Sequence, residues 1–178
     1  MKGIILASSN RPQFIKCVPL SRELRKVYDF MPVHMYNLTV DALKRIGKTP
    51  AGSKVAILGW AFINNSDDAR NPPSEPYRDL LIDAGCSVTV HDPHVLEYPG
   101  VDISHELADV VKGADVVAIL TGHDEYFALD AGDLKDLMGQ EHPVIVDGRN
   151  VVEADAFISE GFVYKGIGRG DKNDHAIN

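Results

Sequence analysis

The chain has 178 residues, of which 44% are hydrophobic, and it carries a formal net charge of −8 at pH 7. This length and apolar content fit one domain with a substantial core, and the acidic balance argues against nucleic acid as a partner. No apolar run is long enough to span a bilayer, no signal peptide is recognisable, and the only two cysteines, Cys17 and Cys86, lie far apart, so we expect a cytoplasmic protein.

The N-terminal part of the chain predicts an irregular arm over residues 1–20 and a helical segment over residues 21–47 that is interrupted near Pro32. Apolar residues fall on two stripes of this helix: Met31, Met35, Leu38, Ala42 and Ile46 on one, and Val33, Tyr36, Val40 and Leu43 on the other. A helix that is apolar on two faces must be covered twice. We therefore expect a homodimer through residues 31–46; the alternative is a helix wedged into its own domain.

From residue 53 to about residue 170, strand patterns alternate with helical patterns. The strand patterns cover residues 55–58, 87–90, 115–120, 143–146 and 162–165, and the helical patterns cover residues 73–84, 105–112, 131–138 and 153–160. This alternation specifies right-handed crossovers. We predict an α/β fold with a doubly wound parallel Rossmann-like sheet of about five strands in the order 3-2-1-4-5, followed by a frayed tail at residues 171–178.

The ligand site of such a sheet is expected at the switch point, beyond the carboxyl ends of strands 1 and 4. Strand 1 leads into a polar loop that ends at Arg70, and strand 4 leads into the segment that contains Arg149. Two guanidiniums at one opening favour a phosphate or pyrophosphate ligand, since planar donor forks match its oxygens. The alternative is that Arg70 pairs with Asp67 or Asp68, and Arg149 with Asp147.

Three other patterns point to chemistry less directly. Asp67 and Asp68 fit a general acid/base pair, but tandem acids before a helix more often bind loop amides or favour the helix N-terminus. The histidines at positions 91, 94 and 105 lack a further ligand at a recognised spacing, so no metal site is predicted. The alternating glycines from 166 to 170 precede no helix, so the sequence shows no dinucleotide-binding fingerprint.

Four ordered blocks resemble the C-terminal domain of the UDP-glucose/GDP-mannose dehydrogenase family. They are LGWAFINNSDDARNPPSE from residue 58, VHDP from residue 90, IVDGRN from residue 145 and YKGIG from residue 164. The resemblance extends over about residues 31–170, and residues 28–43 resemble the end of the family's central dimerisation helix. The block TGHDEYF at residues 121–127 is closest to UDP-N-acetyl-D-mannosamine dehydrogenases.

The resemblance implies that residues 53–170 form the UDP-sugar-binding domain of an NAD-dependent nucleotide-sugar 6-dehydrogenase. Carried over by position, Phe62 and Arg149 would contact the substrate, and Arg70 would contact the NAD. The family's substrate-contacting lysine falls at Ile63 and its proline at Asn64. Since isoleucine cannot donate to a phosphate, we expect weaker ligand binding.

The family's N-terminal domain and its cysteine block have no counterpart in the sequence. Cys17 lacks the flanking glycine and the Lys-Asp pair, so we transfer no nucleophile to it and name no catalytic residue. We expect the chain alone to be inactive, with NAD bound mainly by a separate catalytic domain. The alternative is a non-catalytic module that binds nucleotide sugars or self-associates; a third possibility is a remnant that folds and binds nothing.

Overall fold

The computed structural model describes residues 29–170 and 172–173. Helix α1 covers residues 29–45. The strands are β1 Lys54–Leu58, β2 Ser87–His91, β3 Ile103–Ser104, β4 Val116–Ile119, β5 Val144–Asp147 and β6 Val163–Gly166. The other helices are α2 Ser74–Asp83, α3 Leu107–Val111, α4 Asp124–Phe127, α5 Ala131–Met138 and α6 Ala154–Ser159. Cys17, the predicted arm and residues 21–28 of the predicted helical segment lie outside the described residues.

The strands form one parallel sheet in the order β3-β2-β1-β4-β5-β6. The doubly wound parallel fold is therefore confirmed. Strand β3 was not predicted from the sequence; it is the third strand along the chain and lies at one edge of the sheet. The predicted third, fourth and fifth strands are therefore β4, β5 and β6. Strand β1 pairs with β2 on one side and with β4 on the other, and β5 pairs with β4. The prediction that the strand ending at Asp147 adjoins β1 is therefore wrong, because β4 lies between them.

The sheet is covered on both faces, as the unbroken apolar runs of β1, β4 and β5 require. One apolar layer joins the sheet to α1 and α2, through Met35, Leu43, Tyr77 and Leu81. The other joins it to α3, α5 and α6, through Val111, Leu134, Met138 and Phe157. No helix among the described residues is long and apolar enough to cross a membrane.

Helix α1 is held to the domain by polar as well as apolar contacts. The hydroxyl groups of Thr39 and Tyr77, both fully buried, lie 2.8 Å apart, and Asp41 forms an ion pair with Lys165 of β6 at 2.6 Å. Of the second predicted stripe, Leu43 packs in the chain's own core, whereas Val33 is 36% exposed. The homodimer through residues 31–46 stays a prediction.

Asn173, which lies in the predicted frayed tail, packs against the sheet. It is buried, and its side chain forms two hydrogen bonds with the backbone of Tyr164, accepting from N at 2.9 Å and donating to O at 2.6 Å. The side chain thus satisfies backbone groups on the outer strand β6 as a further strand would. The prediction is wrong for this residue; residues 171 and 174–178 lie outside the described part.

Gly59 ends β1 where the backbone meets the loop after β4. Its φ is +92°, and a Cβ atom there would lie 2.5 Å from Cβ of Thr121. We expect Gly59→Ala to lower the free energy of unfolding by about 2–4 kcal/mol, from the left-handed backbone and the overpacking together. Urea denaturation measures this change. The control is Gly100→Ala, since Gly100 has a φ of +75° but nothing within 4 Å; an equal loss in both variants would contradict the steric explanation.

Candidate functional site

Three loops meet at the carboxyl edge of the sheet, where a doubly wound fold places its ligand. They follow β1, β4 and β5 and cover residues 59–73, 120–123 and 148–153. The first two are joined by hydrogen bonds: Thr121 Oγ1 donates to the carbonyl oxygen of Ala61 at 2.5 Å, and the Gly122 amide donates to Asn64 Oδ1 at 3.2 Å. Residues far apart in the sequence therefore form one continuous surface.

Arg149 is half-buried on this surface, and its hydrogen-bond partner is uncharged. Its Nη2 atom donates to Asn64 Oδ1 at 3.0 Å. The Asp147 carboxylate accepts instead from three backbone amides, those of Arg149, Val151 and Val152. Burial lowers the pKa of Arg149, but arginine remains protonated near neutral pH. The site therefore holds a guanidinium whose charge is not taken up by a hydrogen-bonded carboxylate.

A cavity of about 100 Å³ opens beside Arg149. Its other walls are mainly apolar: Met31, Pro32, Met35, Pro73, Leu120, Gly148 and Ile167. Gly148 allows this close packing, since a Cβ atom there would lie 2.9 Å from the carbonyl oxygen of Ile119 and 3.1 Å from Cε of Met35. One cationic group among apolar side chains is a composition found in small-molecule sites, and a volume of about 100 Å³, against roughly 300–1,000 Å³ for whole ligand sites, accommodates part of such a ligand.

Arg70 lies on the rim, in a different environment. Its side chain is 87% exposed, and its Nε and Nη2 donate to the two carboxylate oxygens of Asp68 at 2.8 and 2.9 Å. These hydrogen bonds lower the pKa of Asp68 to about 2. Of the two interpretations of Arg70, pairing with a neighbouring acid is the one observed, so Arg70 and Arg149 do not share a hydrogen-bond partner.

Phe62 and Ile63 present apolar side chains next to the rim, 41% and 49% exposed. The Phe62 amide donates to the carbonyl oxygen of Asp68 at 2.7 Å, which closes the loop after β1 into a compact turn. This places Phe62, Ile63 and Arg70 on one loop and Arg149 on another, with Asn64 joining the two. The ligand contacts assigned to these four residues stay predictions.

Asp92, just after β2, is the shared hydrogen-bond acceptor beneath these loops, a role that the sequence did not indicate. Its carboxylate is fully buried and accepts from the backbone amides of Trp60, Ala61, His94 and Val95 at 2.7–2.9 Å. His123 Nε2 lies 3.1 Å from Oδ2. Burial acts to raise the pKa of Asp92, but the hydrogen bonds from His123 and the amides outweigh it and hold the pKa well below its usual range.

His123 extends this support to the loop after β1. It is fully buried, and its Nδ1 accepts from the Asn65 amide at 2.9 Å. The ring proton therefore sits on Nε2, which donates to Asp92. Asn65 has a φ of +54°, and its side-chain oxygen accepts from the Asp124 amide at 2.9 Å. The only sequence signal was that His123 and Asp92 each follow a strand.

Two histidines near Asp92, His91 and His105, use ring nitrogens in hydrogen bonds within the protein. His105 Nδ1 donates to the Asp92 carbonyl oxygen at 2.7 Å, and His91 Nδ1 lies 2.9 Å from the Tyr126 hydroxyl. In the part of the chain that the structure describes, no group of three or more His, Cys, Asp or Glu residues is arranged to hold a metal ion.

Known proteins are similar to this chain over the part that contains the three loops. The model of the UDP binding domain of the UDP-glucose/GDP-mannose dehydrogenase family matches residues 56–154. UDP-N-acetyl-D-mannosamine dehydrogenase from Methanocaldococcus jannaschii is 34% identical over 158 residues, which cover 87% of this chain and 35% of that protein. The enzyme of the same name from Pyrococcus horikoshii is 31% identical over 153 residues, 85% of this chain and 34% of that one.

A solved structure covers the whole chain. The crystal structure of NDP-N-acetyl-D-galactosaminuronic acid dehydrogenase from Methanosarcina mazei Go1 aligns with a TM-score of 0.83 and 52% identity, over 100% of this chain and 36% of that one. The chain thus spans about a third of the length of the relatives it matches. Residues 59–73, 120–123 and 148–153, the three loops of the carboxyl edge, all fall within the family match.

Proposed function

The chain belongs to the UDP-glucose/GDP-mannose dehydrogenase family, and from this premise we propose that residues 53–170 bind a UDP-sugar at the carboxyl edge of β1, β4 and β5. The main support for the proposal is the environment of Arg149. Its half-buried guanidinium lies beside an apolar cavity and is hydrogen-bonded to a neutral amide. A planar cation with a neutral partner suits the oxygens of a diphosphate. The exposed ring of Phe62 on the neighbouring loop supplies an apolar contact.

In this proposal the domain serves an NAD-dependent oxidation of the C6 alcohol of the sugar to a carboxylate. This oxidation removes four electrons and adds one oxygen from water, so two NAD molecules would each take up one hydride. We assign its main contacts and the covalent chemistry to a separate catalytic domain, since residues 29–170 contain no GxGxxG loop. Arg70 is the proposed contact from this domain, because its ion pair with Asp68 lies in solvent, where such pairs are weak and readily exchanged.

The sugar class is proposed from the names of three of the relatives, although a UDP-glucose 6-dehydrogenase from Rhizobium meliloti is also 38% identical over 125 residues. Two are named for UDP-N-acetyl-D-mannosamine and the solved structure for an N-acetyl-D-galactosaminuronic acid. All three names specify an N-acetylated amino sugar on a nucleotide. We propose a UDP-linked N-acetylhexosamine as the ligand, with UDP-N-acetyl-D-mannosamine as the first candidate.

Titration calorimetry tests the proposal directly. We expect UDP and UDP-N-acetyl-D-mannosamine to bind the 178-residue chain saturably, and NAD to bind far more weakly. The absence of heat from UDP or UDP-sugar at millimolar concentration would overturn it. NADH production with a candidate catalytic partner, and none without it, separates this function from the non-catalytic nucleotide-sugar-binding module that Ile63 favours.

Self-association is a second proposal, through residues 31–46, which comprise most of α1 and the residue after it; Phe30 directly precedes this segment. Phe30 and Val33 are 55% and 36% exposed on this helix, although its other face packs on the sheet through Met35 and Leu43. Exposed apolar side chains on a helix that is already anchored favour a partner helix from a second copy.

Ile63→Lys is expected to increase the affinity for UDP-sugars. Ile63 is 49% exposed, so lysine fits there without disturbing the core, and it stands where the family pattern has its substrate-contacting lysine. A new charge-assisted hydrogen bond to the diphosphate is expected to tighten binding by on the order of 10- to 150-fold. Calorimetry at two salt concentrations measures the gain, which should shrink as salt screens the charge.

The control for this variant is Leu137→Lys, which adds the same charge at a 42% exposed position on α5. We expect its affinity to stay within about twofold of the wild type, since surface charges farther apart than the Debye length of about 10 Å are largely screened. An equal gain in both variants would mean that net charge, and not the position of the lysine, explains the effect.

A further inference from the structure

Asn64 joins all three loops of the carboxyl edge through one oxygen atom. Its Oδ1 accepts from the Gly122 amide at 3.2 Å and from Arg149 Nη2 at 3.0 Å. Asn64 itself lies on the loop after β1, Gly122 on the loop after β4 and Arg149 on the loop after β5. A Cβ atom at Gly122 would lie 3.2 Å from Asn64 Nδ2, so the glycine leaves room for the amide.

We propose that Asn64 is a positioning residue for Arg149, which holds the guanidinium at the wall of the apolar cavity in the orientation that a nucleotide diphosphate requires. This inference rests on the proposed function. An arginine side chain loses rotamer freedom when it binds a ligand, and a side chain that is already held loses less of it. Asn64 engages one N–H of Arg149, and a guanidinium has five.

The neutrality of Asn64 is what makes it suitable for this role. A carboxylate at the same place would hold the guanidinium equally well, but it would neutralise the charge and repel the phosphate. An amide oxygen holds the guanidinium without cancelling its charge. Because position 63 supplies isoleucine in place of the family's lysine, Arg149 carries more of the anion contact in this chain, and its orientation matters correspondingly more.

The test measures UDP affinity by calorimetry in two variants. Asn64→Asp keeps both hydrogen bonds but pairs Arg149 with a carboxylate, so we expect UDP to bind on the order of 10- to 150-fold more weakly. Asn64→Ala releases Arg149, and the loss of preorganisation is expected to weaken UDP binding by about 2- to 12-fold. The matched control is Gln140→Glu, the same amide-to-acid change at the opposite edge of the sheet, where Gln140 contacts Lys48 and the Gly113 carbonyl oxygen.

A second measurement reports on Arg149 itself. In ¹⁵N-labelled protein, the side-chain Nε–Hε signal of Arg149 is assigned by its loss in Arg149→Lys. We expect this group to be ordered in the wild type and in Asn64→Asp, and mobile in Asn64→Ala, with other backbone amide signals unchanged. A merely structural role for Asn64 would not change the mobility of this one group while leaving the fold intact.

The outcomes separate the inference from the proposed function. If the wild type binds UDP and Asn64→Asp binds it equally well, or if Arg149 is as ordered in Asn64→Ala as in the wild type, the positioning role is wrong. If the wild type does not bind UDP, the proposed function fails. Asn64→Asp preserves the acceptor geometry, so the affinity test remains available even if Asn64→Ala does not fold.

Discussion

Replacing Asp92 by alanine is expected to lower the free energy of unfolding by about 3–5 kcal/mol, because five donors lose their acceptor in a buried site. Four of these donors are backbone amides that cannot turn away, and the fifth is His123 Nε2. Urea denaturation measures the loss, followed by the fluorescence of Trp60, the single tryptophan of the chain. Trp60 is a sensitive probe because it is fully buried and its own amide binds Asp92.

Two further variants distinguish the loss of the hydrogen bonds to the Asp92 carboxylate from the general effect of removing an acidic residue. Asp102→Ala removes an exposed aspartate from the segment before β3, and we expect it to change stability by less than about 0.5 kcal/mol. Asp92→Asn keeps the shape but directs an NH₂ group at some of the donors, so we expect a loss intermediate between the two. A loss below about 1 kcal/mol for Asp92→Ala would contradict the role of Asp92 as the central acceptor.

The same carboxylate gives the stability a defined dependence on pH. The pKa of Asp92 is lower in the folded protein than its ordinary value of 3.8, so the unfolded chain binds more protons in acid. Its contribution is therefore fully present above the ordinary value and is lost as pH falls below it. Thermal unfolding from about pH 2 to pH 7 should show a shallower slope below about pH 4 in Asp92→Asn than in the wild type. The pKa of Asp68 is also lowered, to about 2, but its ion pair with Arg70 lies in solvent, so Asp68→Asn is the control and should change the acid slope much less.

The sequence predicted the elements whose patterns are long enough to be distinctive. The apolar runs that became β1 and β4, and the helical period of α5, indicated the fold class, and the fold class in turn placed the candidate site at the carboxyl edge. Strand β3 has two residues and helix α4 has four, and neither is long enough for a period to appear. Because β3 was not predicted, every later strand was numbered one place too early. The strand now called β5 was therefore inferred to be the neighbour of β1, a place that β4 occupies.

The two arginines show where local spacing is informative and where it is not. Arg70 pairs with Asp68, two residues away on the same loop, and the sequence already offered that pairing as an alternative. Asp147 is two residues from Arg149, yet its carboxylate hydrogen-bonds to backbone amides of the following turn. The partner of Arg149 is Asn64, 85 residues away. A contact of that range depends on the order of the strands, which spacing along the chain does not report.

The same limit applies to Asp92 and His123. They are 31 residues apart and lie after β2 and β4, on either side of the loop that follows β1. In the sequence each is a polar residue in the loop after a strand, and nothing in their spacing indicates that the two side chains meet. Only the packing shows that both are fully buried and that together they fix the loop that carries Phe62 and Arg70.

Arg149→Ala is expected to weaken UDP binding by on the order of 30- to 5,000-fold, the range typical for truncating one partner of a buried, hydrogen-bonded charge contact. Arg149→Lys should recover only part of this affinity, since lysine keeps the charge but not the planar fork that binds two phosphate oxygens. Titration calorimetry of UDP measures both variants. Arg78→Ala, on α2, is the matched control, because Arg78 pairs with Asp79 away from the carboxyl edge, and its affinity should equal that of the wild type.

Arg149→Ala should affect binding far more than folding. After the substitution, Asn64 Oδ1 still accepts from the Gly122 amide, and Asp147 still accepts from the backbone of the turn, so the free energy of unfolding should fall by less than about 1 kcal/mol. Asp92→Ala is expected to have the larger effect on stability, although it too lies at the carboxyl edge. If Arg149→Ala bound UDP as tightly as the wild type, the guanidinium beside the cavity would not be the anion contact, and UDP would have to bind through a different part of this surface.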